Sequence, residues 1–445
     1  MHTLHALQTG QLAGITRLDL AAGLTQFPHE IFTLADSLEI LNLSGNQLSS
    51  LPSDLPRLHK LRILFCSDNC FTHLPEVLGQ CANLEMIGFK ANQIQHLPAA
   101  ALPPKLRWLI LTDNQLTLLP AQLGQCTQLQ KLMLAGNRLQ ALPDELAGCS
   151  RLELLRIAAN QLKHLPDFLW ALPNLSWLAY AGNPFSDAWE RAAMQGRLIP
   201  HIDWHSLKLQ QVLGQGASGI IYRAHRRSEQ GNHPVAVKLF KGALTSDGLP
   251  RSEKAACIAA GEHPHLIPIH GKISAHPEGE LGLVMSLIAS EFVTLANPPS
   301  LQTCTRDVYA PSTRFSLAVA LRIAQGIAQA AQHLHTRGVL HGDLYAHNIL
   351  WNVTGECLLG DFGAASFLPP DDVVTVMRLQ KIEVRAFGCL LEELLQCCDA
   401  KDALLQALQQ RCLHVNPEVR PSWGEIQACL AEYSAAGCSC ETDSP

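Results

Sequence analysis

Leucine sets the rhythm of the first two hundred residues. Apolar positions follow the spacing LxxLxLxxNxLxxLP, as in Leu38–Pro52, and an asparagine marks the phase of each unit. Asn46, Asn69, Asn92, Asn114, Asn137, Asn160 and Asn183 stand 23, 23, 22, 23, 23 and 23 residues apart. From Asn46 to Asn160 a proline follows each asparagine by six residues, from Pro52 to Pro166. A period of this length marks a stacked repeat. Each LxL core predicts a short strand with both leucines turned inward, and the asparagine is expected to satisfy backbone groups where the strand turns away. A buried leucine contributes roughly 1.5–3 kcal/mol, but only when a neighbouring unit covers it. The stack therefore needs caps. Residues 1–16 are expected at one end and Pro184–Pro200, with Trp189, at the other.

Side chains alternate along a strand, so the positions flanking the inward leucines face the concave surface. One such column is Ile40, Ile63, Met86, Trp108, Lys131, Leu154 and Trp177; the next is Asn42, Phe65, Gly88, Ile110, Met133, Arg156 and Ala179. An apolar column on an exposed face points to a partner. The expectation is a protein segment, or the second half of this chain, bound around Trp108, Trp177, Phe65 and Ile110. Cys81, Cys126 and Cys149 hold equivalent repeat positions, as do His73, His96 and His164. Repeat equivalence explains them without a metal, and His73 and His96 are expected to be strand neighbours.

After residues 202–211 the repeat stops. Gly214, Gly216 and Gly219 form a GxGxxG loop followed by Ile221, and glycines there let a hairpin approach phosphates closely. Dinucleotide-binding folds share that spacing, so the loop alone decides little. About twenty residues later the strand pattern Val235-Ala236-Val237-Lys238 follows. Glu253 opens an apolar-rich helical stretch eleven residues before Pro264, and Leu283–Ile288, containing Met285, reads as a strand. Ser316–Arg337 has a helical pattern ending at Gly338, a good residue beyond a helix terminus. His341-Gly342-Asp343-Leu344-Tyr345-Ala346-His347-Asn348 comes next, then Asp361-Phe362-Gly363.

Composition narrows the partners. The 445 residues carry 33 basic and 39 acidic side chains, so no strong field points at nucleic acid or an anionic membrane. Apolar residues make up 47% and charged ones 16%, which argues against disorder over most of the chain. No apolar run of about 18 residues suggests a membrane span. The start lacks the pattern of a signal peptide. The 15 cysteines show no disulfide framework and are expected to be reduced, with the cytoplasm as the default location and delivery into a host as the other possibility.

The first half is similar to leucine-rich-repeat proteins, and the ordered motifs of the second resemble those of protein kinases. Together they resemble the bacterial-type leucine-rich-repeat protein kinases. The resemblance implies an α/β leucine-rich-repeat solenoid (1–200), a two-lobed α+β protein-kinase-like domain (201–433) and a disordered tail (434–445). It implies ATP and Mg²⁺ as cofactors and transfer of phosphate to a protein hydroxyl, serine or threonine ahead of tyrosine. By resemblance Gly214, Gly216 and Gly219 would cover the phosphates and Lys238 would hold them, paired with Glu253 ahead of Glu262, which sits beside the turn at Pro264. Ile221, Ala236, Met285 and Leu350 would surround the adenine. Asp343 would accept or orient the hydroxyl proton, Asn348 and Asp361 would bind the metal.

The departures are equally specific. Gly342 replaces the arginine that pairs with an activation-segment phosphate, which argues against that control. Tyr345 stands where serine/threonine kinases carry lysine, and His347 where tyrosine kinases carry arginine. Glu383-Val384-Arg385-Ala386-Phe387-Gly388 resembles the helix start DVWSFG, only about twenty residues beyond Asp361, and no APE motif intervenes. Arg420, which would pair with the APE glutamate, must find another partner. Two other readings stay open: a nucleotide-binding pseudokinase scaffold, and a small-molecule kinase.

Overall fold

The structure is a computed structural model that describes residues 2–216, 218–229 and 231–438. Two compact units form, one of Met1–Leu175 with Asn183–Phe185, the other of Ser176–Gly182 with Ser186 onward.

In the first unit each repeat contributes a three-residue strand, from Arg17–Asp19 and Ile40–Asn42 to Lys131–Met133 and Leu154–Arg156. Each strand pairs in parallel with the next, in register: Ile40 with Ile63, Met86 with Trp108, Lys131 with Leu154. The prolines open the return path. Pro75, Pro98, Pro120, Pro143 and Pro166 each sit in extended conformation at the start of a short 3-10 helix. The asparagines bind across repeats. Asn92 donates to Cys66 O at 3.0 Å and Phe89 O at 3.2 Å and accepts from Phe71 N at 3.0 Å. Asn46, Asn69, Asn114, Asn137 and Asn160 do the same one turn apart. The buried turn thus keeps few unpaired backbone groups. His73 and His96 form a parallel bridge. The helix Leu4–Gln8, capped by Thr3, lies at the start of this unit.

The concave columns are less exposed than the sequence pattern suggests. Ile63, Met86, Met133, Leu154 and Trp177 are buried, whereas Ile40, Phe65, Trp108 and Ile110 are half-buried. Neighbouring side chains cover one another: the Phe65 ring lies 2.6 Å from where a Cβ at Gly88 would sit, and Lys131 Nζ lies 4.3 Å from the Trp108 ring centre.

The second unit begins with a six-stranded sheet in the order Leu207–Gln215, Gly219–Ser228, Gly231–Phe240, Gly282–Ser286, Ile269–Ser274, His201–Asp203. The first five strands are antiparallel neighbours, and the last runs parallel to Ile269–Ser274. The helix Pro250–Ala260 follows the third strand. Then come the helices Leu317–Thr336, Val373–Gln396, Ala403–Cys412 and Trp423–Cys438. Ser316 caps the first by accepting from Val319 N at 3.3 Å.

Several expectations change here. Ser186–Met194 is a helix as a cap would be, but it belongs to the second unit, where it meets Pro250–Ala260: Ser252 Oγ donates to Glu190 Oε2 at 3.0 Å. Of the two occupants expected around Trp177, a protein segment or the second half of the chain, the second is found: Trp177 belongs to the second unit, 1% exposed, with its ring stacked on Tyr345. Glu383 does not start a helix. That helix begins ten residues earlier, where Asp372 accepts from Thr375 N at 3.0 Å, because an N-cap there satisfies the first-turn donors. Residues 434–438, read as tail, continue the helix Trp423–Cys438, and 439–445 lie outside the described residues. Among the described residues, no helix is long and apolar enough to cross a membrane.

Candidate functional site

A cavity of about 420 Å³ opens under the glycine hairpin, within the range of small-ligand sites. Gly214, Gly216, Gly219 and Ile221 form its roof, and Gly216 N donates to Gly219 O at 3.0 Å across the turn. Lys238, Glu253, Met285, His347, Asp361 and Phe362 line it, with Cys257, Ile267, Ile269 and Thr294. Ala236 and Leu350 are not among its lining residues; each stands on a strand beside one that is, Ala236 opposite Met285 and Leu350 opposite Thr294. A Cβ at Gly219 would lie 2.3 Å from Leu239 O, so the hairpin reaches this closeness only with glycine.

Lys238 Nζ is in direct contact with Glu253 Oε1, bringing a strand and a helix together over a pair that is 11% and 2% exposed. Burial would lower the lysine's pKa, but the carboxylates of Glu253 and Asp361 outweigh it and raise it, so the ammonium stays charged. Two carboxylates face one ammonium at this end of the cavity.

The loop 341–348 is fixed by its own side chains. His341 is fully buried; Nε2–H donates to Gly360 O at 2.9 Å and Nδ1 accepts from Asp343 N at 3.3 Å. Asn348 Nδ2 donates to both Asp343 O and Asp343 Oδ2 at 2.9 Å. By the resemblance, the Asn348 carbonyl oxygen and the Asp361 carboxylate would be the donors that hold Mg²⁺. Asp361 adopts a left-handed backbone, φ 50°, and Oδ1 accepts from Gly363 N at 3.1 Å. Among the described residues no cluster of three or more metal-ligating side chains exists. Two protein oxygens beside excess negative charge suit Mg²⁺, which takes its remaining ligands from phosphates and water.

Helix Val373–Gln396 supports the loop from behind. Glu383 Oε1 accepts from Gly342 N at 2.8 Å and Oε2 lies 2.5 Å from His335 Nε2. Burial would raise this carboxyl's pKa, but the hydrogen bond to His335, the electrostatic influence of His335 and His341 and the Gly342 N–H win and lower it. Arg420 finds backbone partners: Nε donates to His414 O and Nη1 to Lys381 O, both at 2.9 Å. Burial brings its pKa down to about 9.

One site residue went unseen in the sequence. Asp307 accepts from His347 N at 2.9 Å and contacts its Nδ1 at 2.7 Å, holding the ring on the cavity wall. Burial lowers the histidine's pKa, yet Asp307, Asp343 and Asp361 together raise it. No motif surrounds Asp307, and forty residues separate it from its partner.

The comparisons agree with this geometry. Residues 207–389 match the family model described as protein tyrosine and serine/threonine kinase, and 37–58 and 127–185 match leucine-rich-repeat models. The chain is 29% identical over 184 residues to the serine/threonine-protein kinase mos of Xenopus laevis, covering 40% of this chain and 48% of that one. It is 28% identical over 265 residues to the serine/threonine-protein kinase PkaA of Streptomyces coelicolor, covering 50% and 46%. An LRR receptor-like serine/threonine-protein kinase, GSO2 of Arabidopsis thaliana, is 32% identical over 169 residues, covering 37% and 13%. The matched part thus spans about half or less of each of these relatives. In this order along one chain stand leucine-rich repeats and, over residues 207–389, a domain that matches the protein tyrosine and serine/threonine kinase family.

Proposed function

We propose that the second unit is an ATP-dependent protein kinase that transfers the γ-phosphate to a protein hydroxyl, serine or threonine ahead of tyrosine. The observation that carries this reading is the closed Lys238–Glu253 pair on the wall of the same cavity as Asp361. A nucleotide-binding relic has no need to keep that pair assembled together with Asp343 and Asn348. Lys238 binds phosphate oxygens, the glycine hairpin covers them, and Asp343 takes or orients the proton of the attacking hydroxyl. Asn348 and Asp361 hold Mg²⁺, which when bound neutralises charge on the phosphates. The names of mos and PkaA favour serine or threonine as acceptor.

The test is transfer of γ-phosphate from Mg-ATP by the full chain, beside Asp343→Ala and Lys238→Ala. Label on a protein acceptor that both substitutions abolish is the expected result. Bound ATP without transfer favours a pseudokinase scaffold, and transfer to metabolites alone favours a small-molecule kinase.

Leucine-rich repeats generally mediate protein interactions, and the same reading gives the solenoid the task of recruiting the acceptor through Phe65, Trp108 and Ile110, whose apolar side chains stay half-exposed. Replacing Trp108 and Ile110 with serine is expected to raise KM for a protein acceptor and leave KM for a short peptide unchanged. Unchanged KM for both removes that role. The described cysteines are all free thiols, which fits a reducing compartment such as the cytoplasm.

A further inference from the structure

The short strand Trp177–Ala179 lies in the last leucine-rich period, yet Ser176–Gly182 is part of the second unit. Its side chains reach two separate segments of the catalytic apparatus. The Trp177 ring stacks on Tyr345, centres 4.1 Å apart and planes 8° from parallel, and Nε1–H donates to Leu344 O at 3.1 Å. Both contacted residues follow Asp343 directly in the catalytic loop. Three residues on, Tyr180 N donates to Ser366 Oγ and the Tyr180 hydroxyl donates to Phe367 O, both at 2.9 Å. Ser366 and Phe367 follow Asp361-Phe362-Gly363 and pair with Val339–Leu340, the strand that leads into the catalytic loop. Trp177, Tyr180, Leu344 and Ser366 are 1%, 0%, 1% and 0% exposed.

Gly342 is moulded to this arrangement. A Cβ there would lie 2.6 Å from Leu178 O and 2.6 Å from Ala364 O, and its φ is 71°. A larger residue before Asp343 is incompatible with the strand's position. Below the strand, Arg385 Nη1 donates to Ser176 Oγ at 2.7 Å.

We propose that Trp177 and Tyr180 are positioning residues for phosphoryl transfer: the segment 177–180 braces the catalytic loop against the segment after Asp361, so that the site is assembled without phosphorylation of the short segment 364–372. The proposal rests on the kinase reading above. A brace of this kind acts on the placement of Asp343 and leaves the nucleotide cavity alone, since neither Trp177 nor Tyr180 lines it. It also puts Tyr345 inside a stack instead of beside the phosphates.

The experiment uses the full chain, with kcat, KM for ATP, melting temperature and the folded fraction measured for wild type, Trp177→Phe, Trp177→Ser and Tyr180→Phe. Misplacing a catalytic group by about 1 Å costs roughly 100-fold in rate, so Trp177→Ser is expected to lose about that in kcat with KM for ATP within twofold. Trp177→Phe keeps the stack and loses one hydrogen bond, and is expected to fall between. Tyr180→Phe removes a single hydroxyl and carries the test if Trp177→Ser does not fold; a clear loss of kcat at unchanged KM is expected. Wild-type protein stripped of phosphate by a phosphatase is expected to keep its kcat. Variants with wild-type kcat per folded molecule overturn the brace, as does loss of wild-type activity on dephosphorylation. If the wild type itself transfers no phosphate, the kinase reading falls first and takes the brace with it; transfer by wild type with unaffected variants sinks the brace alone.

Discussion

The carboxylate of Glu383 accepts the backbone N–H of Gly342 at 2.8 Å while its other oxygen meets His335, so one buried side chain ties the central helix to the residue before Asp343. Removing it should cost both stability and rate. Leaving the partner groups of a buried network unpaired costs about 3–5 kcal/mol, and Glu383→Ala should also lower kcat more than it changes KM for ATP.

The same carboxyl predicts a pH dependence. Its pKa is lowered in the folded protein, so it contributes stability that is full above the ordinary glutamate pKa of about 4.3 and is lost as pH falls below it. Wild type should therefore lose more melting temperature between neutral pH and acid than Glu383→Gln does. Parallel melting curves against pH for the two proteins check it.

Gly342→Ala should destabilise by about 1–2 kcal/mol from the left-handed backbone alone, with the close oxygens of Leu178 and Ala364 adding to it. Restoring the family's arginine, Gly342→Arg, should lower turnover further instead of improving it. A gain in kcat for Gly342→Arg contradicts the close approach of Leu178 O and Ala364 O to Gly342.

Lys238→Met should lower kcat/KM by about 100-fold or more, as loss of a preorganised charge does, and should also destabilise by leaving Glu253 buried without its ion. The double variant Lys238→Met/Glu253→Gln should recover stability and not turnover. A double-mutant cycle on denaturant midpoints, beside transfer rates, separates the two effects.

Asn92→Ala strips a buried turn of bonds to Cys66 O, Phe89 O and Phe71 N. With net bonds of about 1 kcal/mol each and a penalty for the groups left unmet, the cost is about 2–4 kcal/mol. Phosphate transfer per folded molecule should not change. Denaturant melts monitored by tryptophan fluorescence, with an activity assay on the folded fraction, test both halves.

What the sequence made legible was whatever repeats or stays contiguous. The asparagine period predicted the stacked strands, and the motifs around Lys238, Asp343 and Asp361 each lie within a few residues. The pairing of Lys238 with Glu253 was readable because each sits in a recognisable element. Contacts made across long chain separations were not. Trp177 looked like an outward residue because strand alternation says which side a side chain leaves from and nothing about what lies there; Tyr345 is its neighbour only in space. Asp307 and His347 meet the same way. The start of the helix at Val373 was not legible because Glu383-Val384-Arg385 resembles a helix start, whereas the cap made by Asp372 and Thr375 carries no motif.

The strand His201–Asp203 lies along the outer rim of the kinase sheet, where Ile269–Ser274 would otherwise present unpaired N–H and C=O groups. Uncovered rims of that kind recruit strands from other molecules. A catalytic fragment begun at Leu207, where the family match starts, would strip off this strand and Trp177 with it. Such a fragment should be prone to self-association and slow at once, so a well-behaved catalytic piece of this protein has to be cut upstream of Ser176, inside what reads on paper as a different domain.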